Sequence, residues 1–377
     1  MRCWQRFTKT HKTGVLSVAP RGETRPIVQL KIEEGDMFTH GCRFMAVLVA
    51  ASMTWLFAAG APVCHAAMTL KVSHQFAEGD VRDQMVRVFA ENITKKLGKE
   101  CSFRIYPASS LYKPKEQWDA MKQGSLDLAI LPLDYAAGKA PELSITLMPC
   151  SVSSMKQAMA WRGKPIGQRI EKIVEDNGMK LLVWAWLEGG IGSTVRQVKL
   201  PEDVKGLKIR AAGKKFELML HQAGASITSM PSSEIYHALS TGVLDSCLTS
   251  SSSFVSYRLY EQLKFMNAPK DYAIWYMAEP LLMSLKTWNR LKPEQKKAFE
   301  EVAADLEQNW VVPHFSKDSE NLIQEFTKAG VQLHFMTKEE FQVWSDFAKK
   351  TAWKDFAETV PNGKELLELA VQAMQNP

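Results

Sequence analysis

The sequence predicts an α/β protein of two domains. Its 377 residues are more than one small core requires and suit two globular domains of ordinary size. A hydrophobic content of 46% with 23% charged residues is typical of a folded chain. Segments with the period of a strand alternate with segments of helical period after residue 67. This alternation favours a mostly parallel sheet with helices packed on its faces.

The first 67 residues read as an export segment rather than as part of the fold. Residues 37 to 67 have the layout of a secretory signal peptide, with a basic start, an apolar run over about residues 44 to 61, and cleavage near Ala66 or Ala67. An uncleaved membrane anchor is the alternative, because the apolar run approaches spanning length. Residues 1 to 36 are expected to be an extension from an upstream start codon.

Export changes how the charge and the cysteines are interpreted. The net charge of +6 is largely N-terminal, and 39 Lys and Arg against 37 Asp and Glu remain after residue 67. A nearly neutral body argues against nucleic-acid binding, which needs a clustered basic face. The remaining cysteines are Cys101, Cys150 and Cys247, so at least one is unpaired in a monomer. They form no CxxC pair or Cys/His cluster with metal-ligand spacing, and we expect no metal or other cofactor.

The elements follow one another in a regular order. A strand begins at Met68, and Asp80 caps a helix whose apolar positions run to Leu97. The next segments are the strand CSFRIYP, a helix at about 113 to 122, the strand SLDLAILPL, the strand MKLLVWAWLEGG, the strand VKGLKIRAA, the helix GKKFELMLHQAGA, the strand SITSMP, the helix SSEIYHALSTG and the strand VLDSCLTS. An apolar segment longer than one strand then precedes a long helix, which Pro313 should kink or divide.

The strand VKGLKIRAA ends on a charge that no neighbour balances. Arg210 follows Ile209 and precedes a turn bounded by Gly213, and no acidic residue stands between Val204 and Phe216. The chain offers no HExxH, GxSxG or Walker-type motif that would explain the charge by catalysis. A guanidinium matches a carboxylate with two parallel N–H groups and stays charged. Its partner is either a ligand carboxylate or an internal acid such as Glu234.

A family resemblance rests on five segments in a fixed order: KVSHQF, FRIYPASSLYKPKEQWDAMKQGSLDLAI, PEDVKGLKIRAAG, GASITSMPSSEIYHALSTGVLD and LLMSLKTWNRLKPEQKKAF. They are similar to the DctP-type solute-binding proteins of tripartite ATP-independent periplasmic (TRAP) transporters, over almost the whole chain after residue 67. The resemblance implies a two-domain periplasmic binding fold, type II-like, with mixed sheets, several interdomain crossings and a long kinked helix. It also implies a monomeric periplasmic receptor that closes on a small organic acid and delivers it to small and large membrane subunits.

The resemblance also suggests how the chain divides. Domain I is expected to take residues 68 to 188 and about 276 to 312, and domain II about 189 to 275 and 313 to 377, with the ligand cleft between them. The GGIG segment at residues 189 to 192 is interpreted as a hinge or turn, because it lacks the third glycine of a dinucleotide site.

Arg210 occupies the signature position of the resembled family, at the end of the GLKIR strand, and is expected to bind the ligand carboxylate. Some relatives carry a second arginine where this chain has Gly190. Thr249 stands at a position that is often asparagine, and Ser232 at one that some relatives fill with an aromatic residue. Fewer charges and more hydroxyl groups favour a ligand with one carboxylate over a C4-dicarboxylate.

Gly213, Ser232 and Thr249 are also candidate ligand-binding residues, and the remaining candidates are mostly aromatic. His74 and Phe76 follow the first strand and are expected to cover the ligand, and Tyr135, Trp186 and Trp275 are expected to line an apolar pocket at the domain interface. Core packing is the alternative for these aromatic residues.

Two other functions stay open from the sequence. The first is a receptor for an ABC importer or a sensor kinase. The second is an enzyme on a related scaffold, for which Cys247 and His74 would be the nucleophile and base.

Overall fold

The computed structural model of the protein describes residues 67 to 375, in which two sheets are surrounded by helices. The predicted extension and all of the predicted signal segment before residue 67 lie outside the described residues. Within residues 67 to 375, the structure contains no helix that is both long and apolar enough to cross a membrane.

Ten of the twelve strands of the described residues lie in the predicted strand segments, and those at residues 265–268 and 332–335 were not predicted. The twelve strands are β1 (Met68–Ser73), β2 (Cys101–Tyr106), β3 (Leu128–Ile130), β4 (Met179–Val183), β5 (Trp186–Ser193), β6 (Lys208–Ala211), β7 (Ser226–Ser229), β8 (Ser246–Ser250), β9 (Phe265–Ala268), β10 (Trp275–Ala278), β11 (Leu281–Ser284) and β12 (Gln332–Phe335).

The helices lie between these strands and beyond them. They are α1 (Val81–Leu97), α2 (Gln117–Gln123), α3 (Met155–Met159), α4 (Pro165–Asp176), α5 (Lys214–Gln222), α6 (Ile235–Ser240), α7 (Ser251–Ser256), α8 (Leu285–Arg290), α9 (Pro293–Leu306), α10 (Val312–Phe315), α11 (Asp318–Lys328), α12 (Lys338–Ala348), α13 (Lys354–Thr359) and α14 (Gly363–Gln375).

Both sheets mix parallel and antiparallel strands. The first has the order β2-β1-β3-β11-β4, in which β1, β2 and β3 are parallel and β11 is antiparallel to both of its neighbours. The second has the order β12-β9-β5-β8-β6-β7, with β10 antiparallel to β5. Strands β6, β7 and β8 are parallel to one another. We call the first sheet with its helices the first lobe, and the second sheet with its helices the second lobe.

Two short connections, which lie next to each other, join the two sheets. The segment MKLLVWAWLEGG forms two strands, because the chain leaves the first sheet after Val183 and enters the second at Trp186. It returns between Ala278 and Leu281. The Glu279 N–H donates to the Ala185 carbonyl at 2.8 Å, which ties the two connections together. The division into domains stays a prediction. At these two connections the chain passes directly from a strand of one sheet to a strand of the other.

The interpretation of residues 189 to 192 as a turn is wrong, and the interpretation as a hinge stays a prediction. These residues lie inside β5, paired with β8 along their whole length and with β9 or β10 on the other side. Their glycines permit close packing instead. A Cβ atom on Gly189 would lie 2.0 Å from the Thr249 carbonyl oxygen and 2.7 Å from the Trp275 ring. Sequence spacing cannot distinguish this use of glycine from a turn, because the crowding atoms come from other strands.

The long helix predicted around Pro313 is divided. Helix α9 passes through a π-helical segment at Glu307–Val311 into α10, which contains Pro313, and the chain then bends before α11. Proline lacks an N–H group and crowds the preceding turn, and π segments also interrupt the regular helical ladder. The predicted interruption by Pro313 therefore falls where the helix is broken.

Candidate functional site

The parallel strands of the two sheets end toward each other. In α/β sheets, ligands bind beyond the carboxyl ends of such strands. Tyr135 follows β3 of the first lobe, and its hydroxyl lies 3.1 Å from Nη2 of Arg210 at the end of β6. The same hydroxyl accepts a hydrogen bond from the Ser232 N–H at 3.3 Å. Three predicted site residues from both lobes thus meet in one place.

Arg210 is buried, with 1% of its surface exposed. Its Nε donates to the Met230 carbonyl at 3.0 Å and its Nη1 to the Leu248 carbonyl at 2.6 Å. With the contact to Tyr135, these bonds engage three of the five guanidinium N–H groups. Within the described residues, no carboxylate lies within ion-pair distance of Arg210, and Glu234 does not pair with it. Two donors and a buried positive charge are therefore left for a partner.

Asp134 lies against the start of α5, where Gly213 has a φ of +107° that L side chains rarely adopt. A Cβ atom at Gly213 would lie 2.1 Å from Asp134 Oδ2, so only glycine permits this contact between the lobes. Burial, reinforced by Glu217, raises the pKa of Asp134 to about 8, against opposing effects of Lys214, Lys215 and Arg210. The acid beside the site is thus largely neutral near pH 7 and does not neutralise Arg210.

The raised pKa of Asp134 predicts that the protein loses stability as the pH rises from acidic to mildly alkaline values. The unfolded chain releases this proton near 3.8 and the folded protein near 8. The stabilisation is complete below the first value and is lost as pH rises through the second, because the folded protein holds a proton that the unfolded chain has released. We expect the free energy of unfolding to fall as pH rises from about 4 to about 8, and to fall less in Asp134→Asn.

Chemical denaturation across this pH range measures the effect. Asp119→Asn is the matched control, because Asp119 is an exposed acid of the same lobe that pairs with Lys139. Asp318 and Glu307, whose pKa values burial raises to about 8 and about 7, contribute to the decline with the same sign in every variant. Parallel pH profiles for wild type and Asp134→Asn would contradict the assignment to Asp134.

Gln75 is a candidate that the sequence analysis missed. It follows β1, is 2% exposed, and both polar atoms of its side-chain amide are buried without a hydrogen-bond partner in the part of the chain that the structure describes. Its backbone carbonyl accepts a hydrogen bond from the Tyr257 hydroxyl of the second lobe at 3.0 Å. An unsatisfied buried amide is unfavourable unless a ligand or water completes it. Its place in KVSHQF, between His74 and Phe76, was the available signal.

His74 and Phe76 belong to a neighbouring group of contacts. His74 Nε2 lies 3.1 Å from Asp83 Oδ1, and its ring stacks on Phe76 with a centroid distance of 5.9 Å. Burial opposes ionisation of Asp83, but hydrogen bonds from His74, Arg87 and the Gly79 N–H outweigh it and lower the pKa of Asp83. The guanidinium carbon of Arg82 lies 3.5 Å from the Phe76 ring centroid. Phe76 thus packs against a buried cation, and a ligand-binding role for His74 and Phe76 stays a prediction.

Arg82 is the second residue missed from the sequence. It is fully buried at the start of α1 and binds Asp80 through Nε at 2.7 Å and Nη2 at 2.8 Å. Its Nη1 donates to Glu279 at 2.8 Å and to Ser250 Oγ at 3.2 Å, and its Nη2 to Ser253 Oγ at 3.0 Å. These partners come from both lobes and from the connection between the sheets.

The remaining predicted residues pack more like core. Trp186 is 1% exposed and packs on Trp161 and Trp184 at centroid distances of 5.1 and 6.3 Å. Trp275 covers Gly189 of the adjacent strand. The indole N–H groups of Trp186 and Trp275 are buried without a partner among the described residues. Thr249 is buried beside Leu248, whose carbonyl holds Arg210. A ligand-binding role for these residues stays a prediction.

The three cysteines in residues 67 to 375 are buried and unpaired. Burial raises the pKa of Cys247 to about 12, with only partial opposition from Arg210, so its thiol stays protonated. Cys247 is therefore not prepared to act as a nucleophile. Within the same residues, no group of three or more His, Cys, Asp or Glu side chains is placed to hold a metal ion.

The comparisons with known proteins agree with this architecture. The family model for bacterial extracellular solute-binding proteins, family 7 (DctP), matches residues 72–359. A solute-binding protein from Albidiferax ferrireducens is 39% identical over 310 residues, which cover 81% of this chain and 91% of that protein.

Solved structures of similar proteins have the same fold. A TRAP periplasmic solute-binding protein from Rhodoferax ferrireducens, with bound malonate, matches with a TM-score of 0.79 and 39% identity over 81% of this chain and 98% of that one. Another from Sulfitobacter, with bound β-D-galacturonate, matches in fold with a TM-score of 0.75 at 20% identity, over 81% of this chain and all of that one. The predicted two-domain α/β binding fold is confirmed. The chain belongs to the DctP family of bacterial extracellular solute-binding proteins, the TRAP-type solute receptors, and is a receptor rather than an enzyme.

Proposed function

We propose that the protein is a periplasmic TRAP receptor that captures a small organic acid with one carboxylate between its two lobes. The observation that carries this proposal is the buried guanidinium of Arg210, which has no carboxylate partner among the described residues and two free donors. A bidentate carboxylate would satisfy both donors. The domain division given by the resemblance is part of this proposal, with the carboxylate bound in the second lobe and covered by the first.

A single carboxylate is supported by the contacts of Arg82, the other buried arginine among the described residues. Arg82 is committed to Asp80, Glu279 and two serines. Position 190, where some relatives carry an arginine, has no room for a side chain, because a Cβ atom there would lie 2.2 Å from the Asn267 carbonyl oxygen. The unpartnered amide of Gln75 suits a neutral hydroxyl or keto group. Its NH₂ group can donate to either oxygen, and its carbonyl oxygen can accept from a hydroxyl.

The malonate in the Rhodoferax ferrireducens structure makes malonate the decisive competitor. Calorimetric titration would compare lactate and pyruvate, which carry one carboxylate and one neutral oxygen, with malonate and succinate. We expect the 2-hydroxy and 2-keto monocarboxylates to bind more tightly. A clear preference for malonate or succinate would overturn the single-carboxylate proposal, and failure of all four acids in wild type would count against acid capture by Arg210.

Export and delivery complete the proposed function. We propose that the signal segment is cleaved near Ala66 or Ala67 and that small and large TRAP membrane subunits receive the ligand. The mass of the protein recovered from the periplasm tests the cleavage. Uptake of the acid into vesicles that contain the TRAP membrane subunits, compared with uptake into vesicles that contain an ABC importer, tests which transporter receives the ligand. Uptake that depends on an ABC importer, or retention of the uncleaved chain in the membrane, would contradict this part of the proposal.

A further inference from the structure

Arg82 joins the two lobes at the edge of the candidate site. It stands at the start of α1 in the first lobe, next to Asp80, whose side chain caps that helix by accepting from the Arg82 N–H at 2.9 Å. Across the interface, Ser250 ends β8 and Ser253 lies in the first turn of α7. The hydrogen bonds to these two serines are contacts of the first lobe with the second.

The donors of Arg82 are fully used. A guanidinium carries five N–H groups, and five acceptor contacts are present: two to Asp80, one to Glu279, one to Ser250 and one to Ser253. The Phe76 ring covers the face of the same guanidinium. Arg82 therefore has no donor left for a ligand, and any effect it has on binding must pass through the groups that it holds.

One of these groups belongs to the strand that holds Arg210. The Leu248 carbonyl of β8 accepts from Arg210, and the Ser250 hydroxyl at the end of the same strand accepts from Arg82. Two residues of an extended strand span about 7 Å, so the two arginines hold β8 at neighbouring points. Ser250 also caps α7 by accepting from the Ser253 N–H at 3.3 Å. Opening the lobes would release the contacts of Arg82 with the two serines and that of Arg210 with Tyr135. It would leave the bonds of Arg210 to the Met230 and Leu248 carbonyls in place.

We propose that Arg82 is a positioning residue for ligand capture: it holds the end of β8 and the start of α7 against the first lobe in the closed state, and so slows the release of an acid bound to Arg210. This inference rests on the proposed function, since it requires the lobes to close over an acid. The strength of the contact lies in its charge, because hydrogen bonds to a charged group are stronger than those between neutral groups.

Ser253→Ala tests the proposal without leaving buried acids unpaired. It removes one acceptor of Arg82 in the second lobe and keeps the contacts with Asp80 and Glu279. Ser251→Ala is the matched control, because Ser251 is a buried serine of the same helix whose hydroxyl has no partner among the described residues. Calorimetry and stopped-flow mixing with pyruvate and with malonate would separate the association and dissociation rates of each protein.

We expect Ser253→Ala to raise the dissociation rate of the bound acid about tenfold with little change in the association rate, and Ser251→Ala to resemble wild type. Spin labels at Lys95→Cys and Val243→Cys, on exposed positions of the two lobes, would report the closed population without acid and at saturation. A smaller closed population in Ser253→Ala than in wild type supports the proposal. A merely structural role of Ser253 would lower the stability of the protein and leave the closed population unchanged.

Equal dissociation rates and equal closed populations in Ser253→Ala and Ser251→Ala would overturn the proposal. The spin-label comparison without acid does not depend on which acid binds. Binding of neither pyruvate nor malonate by wild type would therefore count against the proposed function, while the distance measurement would still decide whether Arg82 holds the lobes together.

Discussion

Arg210→Ala is expected to lower the affinity for the acid at least about thirtyfold, the lower end of the roughly 2 to 5 kcal/mol measured when one partner of a buried charge pair is removed. The acid carboxylate would remain in a buried site without its counter-charge. Isothermal titration calorimetry measures the change. Stability should fall as well, by about 1 to 3 kcal/mol, because the carbonyls of Met230 and Leu248 lose their donor.

The control for this prediction is Arg196→Ala. Arg196 also lies in the second lobe and donates to two backbone carbonyls, those of Asp203 and Lys205, but it is exposed. Its removal should leave affinity unchanged. Arg210→Lys should fall between wild type and Arg210→Ala, since lysine keeps the charge and loses the bidentate geometry. Equal affinity in Arg210→Ala and Arg196→Ala would show that Arg210 does not bind the acid.

Arg82→Ala is expected to reduce the free energy of unfolding by about 3 to 5 kcal/mol, because it leaves buried acids without a counter-charge. Burial opposes ionisation of Asp80, but Arg82 outweighs it and lowers the pKa of Asp80, so this carboxyl is charged in the folded protein. Burial raises the pKa of Glu279 despite Arg82. Equilibrium denaturation in urea measures the loss, which is a large fraction of a typical total stability.

Arg87→Ala is the matched control for Arg82→Ala. Arg87 lies in the same helix and pairs with Asp83 and Glu78, but its side chain is 44% exposed. Its removal should therefore have a much smaller effect. The combined change Arg82→Met, Asp80→Asn and Glu279→Gln should recover part of the stability, because it removes the charges together. A loss below about 1 kcal/mol in Arg82→Ala would contradict the role of Arg82 as the counter-charge of these acids.

Much of the fold was predictable from local pattern. The apolar spacing from Val81 to Leu97 and the cap at Asp80 are properties of one segment, and both appear in the structure as predicted. The segment around Trp275 to Ser284 was recognised as longer than one strand, and the expected domain boundary near residue 276 lies within it. The structure places the change of sheet between Ala278 and Leu281. The glycines from 189 to 192 were misinterpreted, because the atoms that exclude side chains there belong to β8, β9, β10 and the loops beside them.

By itself, the sequence determined the α/β class, the order of the elements, the family resemblance and the candidate status of Arg210, because these depend on short segments read in order. Only the tertiary structure decided which groups surround that charge. Arg82 meets Ser250 and Glu279 across separations of 168 and 197 residues, and Tyr135 meets Arg210 across 75. The full use of the Arg82 donors and the lack of a partner for the Gln75 amide likewise result from burial between two lobes. No local period encodes such contacts, because they depend on how two sheets pack.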